Sequence, residues 1–162
     1  MLSGIVRKGR EMSLRYRSKG EVHKDFHRLL CATCRYLSEN YGPSSVMEVV
    51  EAMAKGVYKT MHEALKNGDC GELCEYWEYY LTREGGDFEV EQLDDGVRLT
   101  VRDCPAQRHL RVLGDSTDAV LCDMTRAFNE ALADDSPFDA VVMRTGEFSC
   151  VQEFKRKTGV KQ

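Results

Sequence analysis

Apolar positions recur every three to four residues in the first half of the chain and alternate in the second. Over Glu21 to about Asn40, the series Val22, Phe26, Leu29, Leu30, Thr33 and Leu37 predicts one helical stripe. Tyr41-Gly42-Pro43-Ser44-Ser45 interrupts it and supplies capping residues for the next helix. From Val46 to Lys66 the apolar face is Val46, Val49, Val50, Met53, Val57, Met61, Ala64 and Leu65, and Asn67-Gly68 closes it. A shorter helix over Gly71 to Arg83 carries Leu73, Trp77, Tyr80 and Leu81, and Gly85-Gly86 ends it.

The period then changes. Phe88 to Leu93 and Val97 to Val101 flank Asp94-Asp95-Gly96, which predicts a hairpin. In its second strand Val97, Leu99 and Val101 alternate with Arg98, Thr100 and Arg102. Pro105 to Leu113 reads as a short helix stopped at Gly114, and Ser116 or Thr117 caps a helix running to about Ala133. Phe138 to Arg144 is apolar on both faces, which predicts a central strand. Thr145-Gly146-Glu147 turns the chain into a last strand, Phe148 to Lys157. The expected fold is α+β: a helical N-terminal half, then a mainly antiparallel four-stranded sheet in ββ-αα-ββ order packed on helices. The expected organisation is a basic arm over 1–20 and one domain over 21–162, with helices in 21–84 and the sheet-containing part in 87–157.

Composition narrows the class. The chain has 162 residues, 42% of them hydrophobic and 31% charged, enough apolar material for a packed core. No apolar run approaches the length that spans a bilayer, and 1–20 lacks the apolar stretch of a secretory signal. A cytoplasmic protein with no membrane partner is therefore expected. The net charge is −4, but Arg7, Lys8, Arg10, Arg15, Arg17 and Lys19 crowd the first twenty residues. The remainder is an acidic body, which argues against nucleic acid as the main partner. A homo-oligomer stays open. There is no GxGxxG, P-loop, GxSxG or HExxH, so the common nucleotide, serine-hydrolase and metalloprotease signatures are missing.

Seven cysteines direct attention to thiol chemistry. An odd number fits poorly with a closed disulfide framework. The sharpest feature is Asp103-Cys104-Pro105. Proline favours the first position of a helix, so Cys104 falls at an N-cap, where backbone N–H groups and the helix dipole favour a thiolate. Arg108 lies four residues on and adds positive charge, whereas His109 projects about 140° away, a poor dyad partner within that helix. The competing reading of Cys104 is a buried cysteine ending a strand. Cys122, with Arg126 and Asn129, lies beside the apolar stripe Leu121, Thr125, Phe128 and Leu132. Cys150 shares a strand face with Phe148 and Phe154, a core position. If the helices cover one sheet face, Cys104, Cys122 and Cys150 meet.

A second constellation is His23, His27, Cys31 and Cys34, which share one helical face within about 80°. One straight helix rarely supplies four ligands, so a zinc or iron site needs two of these with Cys70 and Cys74. The other reading is a polar-edged core face with no cofactor. Tyr76, Trp77, Tyr79 and Tyr80, with Glu75 and Glu78, suit core packing plus a partner surface.

From Arg102 onward the chain resembles the L-2-amino-thiazoline-4-carboxylic acid hydrolase family. The resemblance rests on Asp103-Cys104-Pro105, Cys122-Asp123, Arg144-Thr145-Gly146, and Cys150 followed by Phe154. It implies hydrolysis of a cyclic amidine C–N bond in a small amino-acid-like substrate. Cys104 is then the nucleophile, and His109 or Asp123 moves a proton. Arg108 or Arg144 holds the substrate carboxylate, with Cys122 and Cys150 beside it. The competing classes are a thiol-rich metal- or redox-responsive binding protein and an accessory interaction module without catalysis.

Overall fold

A computed structural model describes residues 25–114 and 118–158. The expected α+β architecture is what it shows: helices first, then an antiparallel four-stranded sheet with two helices inserted between its halves. The basic arm over 1–20 and the capping residues Ser116 and Thr117 lie outside the described residues.

The helices are α1 (Asp25–Tyr41), α2 (Pro43–Ala52), α3 (Lys59–Lys66) and α4 (Gly71–Glu84). Pro43 opens α2, where its missing N–H costs nothing. Gly85 closes α4 at φ 72°, a left-handed geometry that glycine adopts without strain. The single helix expected over Val46 to Lys66 is divided. A π-helical turn, Met53–Val57, separates α2 from α3, and Tyr58 leaves the helix at φ −103°. The wider turn carries Val57 out to 64% exposure and brings the Tyr58 ring between Tyr76 and Phe128, at 5.4 and 5.0 Å. The aromatic cluster of α4 thus packs largely on its own neighbours.

The face of α1 that turns inward also differs from the expected stripe. Cys31 and Cys34 are buried, whereas Phe26 and Leu29 are exposed. Cys31 packs with Ala106, Leu110 and Leu121, and Cys34 with Val50, Met124 and Ala127. The small thiols let α1 approach its neighbours closely.

The sheet comprises β1 (Asp87–Leu93), β2 (Gly96–Asp103), β3 (Phe138–Arg144) and β4 (Cys150–Arg156), in the order β1-β2-β4-β3. Between β2 and β3 run α5 (Pro105–Val112) and α6 (Asp118–Ala133). β3 is therefore an edge strand, and β4 is central. Apolar residues on both faces of β3 had pointed to a central strand, but Val141 and Met143 lie on the uncovered face of the sheet.

Register fixes the two faces. Val97, Leu99 and Val101 of β2 stand opposite Phe154, Gln152 and Cys150 of β4, and face the helices. There they join Leu65, Leu73, Trp77, Leu132 and Phe138 in the main core. The other face is wet and carries a charge ladder. Arg98 donates to Glu153 at 2.6 Å and pairs with Glu91 at 3.3 Å, while Arg102 pairs with Asp87 and Glu89. One apolar and one charged face is the ordinary economy of an antiparallel sheet. No described helix is long and apolar enough to cross a membrane.

Candidate functional site

The junction of β2 and α5 is built by Cys104-Pro105. Cys104 is extended, at φ −77° and ψ 113°, as a residue before proline must be. Its N–H donates to the carbonyl of Phe148 at 2.7 Å, and its own carbonyl accepts the N–H of Arg108 at 3.0 Å. The amides of Ala106 and Gln107 favour the thiolate, as expected at an N-cap, although Sγ makes no capping hydrogen bond. The expected acidity does not follow. Burial pushes the Cys104 thiol up to about 11, outweighing the two amides that favour the thiolate. Cys104 therefore rests as a thiol.

The three cysteines of the second half lie in one region of the fold. Cys150 and Cys122 both lie close enough for a charge on either to oppose ionisation of Cys104. Carboxamides bind them. Gln107 Nε2 donates to Cys122 Sγ at 3.1 Å, and Gln152 Nε2 lies 3.8 Å from Cys150 Sγ. Asn129 Nδ2 in turn donates to Gln152 Oε1 at 2.7 Å. Asn129, Gln107 and Gln152 are all buried, so this polar set is held inside the fold. Burial also raises the Cys150 thiol, against Arg144, whose charge favours the thiolate. Arg144 stands opposite Cys150 in the β3–β4 register and is itself exposed. Asp123 is elsewhere: it pairs with Arg126 at 3.0 Å, and its side chain is 68% exposed.

A cavity of about 280 Å³ lies against the outer side of α5. Its walls are His27 of α1, Glu84 of α4, and Pro105, Arg108, His109 and Val112 of α5. His27 Nε2 lies 3.1 Å from both carboxylate oxygens of Glu84 and donates to them. Both side chains are mostly buried, so the carboxylate fixes the imidazole in orientation and tautomer. Arg108 pairs with Asp103 and reaches the Gly85 carbonyl at 3.4 Å. The Nε2 of His109 is buried without a hydrogen-bond partner among the described residues. Such an orphaned group costs roughly 1–3 kcal/mol. Cys104 is not in the wall of this cavity; its neighbour Pro105 is.

The structure thus brings Arg108 and His109 to the cavity and leaves Cys104, Cys122 and Cys150 outside its wall. It adds Glu84, which no local pattern marks, and gives His27 a carboxylate partner. The alternative metal set is dispersed. His23 lies outside the described residues. His27 is engaged by Glu84; Cys31 and Cys34 sit in two separate apolar clusters; Cys70 and Cys74 belong to the main core. Cys74 Sγ accepts from Gln92 Nε2 at 3.2 Å, and burial raises the Cys70 thiol to about 11. Among the described residues, no three His, Cys, Asp or Glu side chains converge in a way that suits zinc or iron. Compared with protein-family models, curated proteins and solved structures, the chain matches none.

Proposed function

We propose that the chain is a small cysteine-dependent hydrolase of a C–N bond in a cyclic amidine or related small amino-acid-like molecule. One observation carries this reading: Cys104 caps the helix whose first residue, Pro105, lines the cavity together with Arg108 and His109. The cavity is near the lower end of ligand cavities, roughly 300–1,000 Å³, which suits a small substrate. Arg108 receives the substrate carboxylate, and Pro105 and Val112 cover its apolar part.

In this reading Sγ of Cys104 attacks the amidine carbon while the amides of Ala106 and Gln107 stabilise the charge that develops. The S–C bond forms and the C–N bond breaks. The thiol proton passes to the leaving nitrogen. Water hydrolyses the S–C bond and restores the thiol. A thiol near 11 must lose its proton during turnover rather than before it.

The test is hydrolysis of 2-amino-thiazoline-4-carboxylate by the full chain. Cys104→Ser should remove turnover and leave the circular dichroism spectrum unchanged. Without substrate, iodoacetamide should label Cys104 slowly at neutral pH and faster as pH rises toward 11, since the thiolate reacts. Retained turnover in Cys104→Ser would sink the assignment.

The proximity of three free thiols favours a second reading, a redox-responsive binding protein. Two of them would yield two electrons and two protons to a small disulfide such as oxidised glutathione, forming one protein disulfide. Loss of two titratable thiols on that treatment, prevented by Cys104→Ser, would support it. An unchanged thiol count would refute it.

A further inference from the structure

The described edges of the sheet are built differently. β1 ends it on one side with Asp87, Glu89 and Glu91, all exposed, a charged edge of the kind that discourages strand addition. β3 ends it on the other side. One side of β3 is hydrogen-bonded to β4 along its length, and its other backbone side meets no described strand. Its charges are confined to Asp139 and Arg144, near the ends. Between them Val141 and Met143 stand exposed at 46% and 48% on the open face. Val151, the register partner of Met143 in β4, extends the apolar strip.

We propose that β3 pairs with the β3 of a second copy of this chain, joining two four-stranded sheets into one about a two-fold axis. The pattern of side chains selects this occupant. A two-fold through Val142 sets Val141 opposite the partner's Met143, and Met143 opposite the partner's Val141, all four on the open face. Asp139 then faces the partner's Thr145, and Arg144 the partner's Ala140, so no like charges oppose each other. Directly opposed apolar side chains stabilise such a pairing, beyond the new backbone hydrogen bonds. The β1 carboxylates are already paired with Arg98 and Arg102. Pairing β1 with β3 is head-to-tail, whereas the β3–β3 contact is closed by its two-fold and sets no like charges opposite each other. This proposal is independent of the chemistry at Cys104.

The test is light scattering coupled to gel filtration, over a dilution series of the full chain. The expected result is a species of twice the 18.5 kDa chain mass that dissociates on dilution. Val141→Lys with Met143→Lys should give the single-chain mass at every concentration. Both positions are exposed in the isolated chain, so circular dichroism should not change. Hydrogen exchange on the wild type provides a readout that needs no variant: β3 amides should gain protection with concentration, and β1 amides should not. A wild type at single-chain mass throughout would overturn the proposal. So would a dimer that survives the double substitution, or concentration-dependent protection at β1 instead of β3.

Discussion

Gly96→Ala should remove a large share of the protein's stability. Gly96 begins β2, directly after the Asp94-Asp95 turn, and lies opposite Lys155 of β4. A Cβ built there would stand 1.9 Å from the Phe154 carbonyl oxygen and 2.9 Å from its carbonyl carbon. These are backbone atoms of the central strand, so no rotamer change relieves the overlap. One end of β2 must leave β4, and the hydrogen bonds there are lost with it. Overpacking ordinarily costs about 1–3 kcal/mol, and a rigid obstacle places this case at or above the upper end. Against a typical total of about 5–15 kcal/mol, that is a large share. Urea denaturation followed by circular dichroism measures it. Gly56→Ala is the control, since a Cβ there meets nothing within 4 Å. A Gly96→Ala midpoint matching that of Gly56→Ala would mean that β2 and β4 are not in this register.

Phe154→Ala is expected to cost about 3–5 kcal/mol, the usual loss for a large aromatic side chain deleted from a core. Phe154 is fully buried and stands between Val97 of β2 and Ala140 of β3. Its ring meets Trp77 edge-on, with centroids 6.0 Å apart. Trp77 is the sole tryptophan, so its fluorescence reports the same event. The emission should shift to longer wavelength as the indole gains water, and the unfolding midpoint should fall. Val112→Ala, at a position 80% exposed, should change neither. An unaltered midpoint in Phe154→Ala would show that the ring does not anchor the sheet to α4.

Much of the fold was legible because local rules and tertiary packing agree. The Asp94-Asp95-Gly96 turn, the alternation of Val97, Leu99 and Val101, Pro105 at a helix start, and Gly85 past a helix end each have a local cause. The misreadings have causes as well. Val141 and Met143 resemble core residues because side-chain type says nothing about whether a face is covered. The π-turn at Met53–Val57 is invisible to periodicity, since apolar residues on either side keep a helical spacing.

At the site, Cys104 was visible through its proline, but its acidity was not. A helix N-terminus and burial act in opposite directions on a thiol, and only the packing shows which prevails. The proximity of Cys104, Cys122 and Cys150 depends on β4 lying beside β2, a matter of topology. His27 and Glu84 are 57 residues apart, on two helices whose contact no spacing announces.

The place of β4 has a consequence for biosynthesis. It follows every other described element in the chain, yet it sits in the middle of the sheet. A chain emerging from the ribosome holds the β1–β2 hairpin, then α5, α6 and β3, while the slot between β2 and β3 stays open. Until the last strand arrives, Val97, Leu99 and Val101 lack their partners, and two strand edges are unprotected. Partly made chains are therefore the form most prone to stick to one another. Interrupting translation between Arg144 and Arg156 would leave a nascent chain that holds three strands and is still unable to close its sheet.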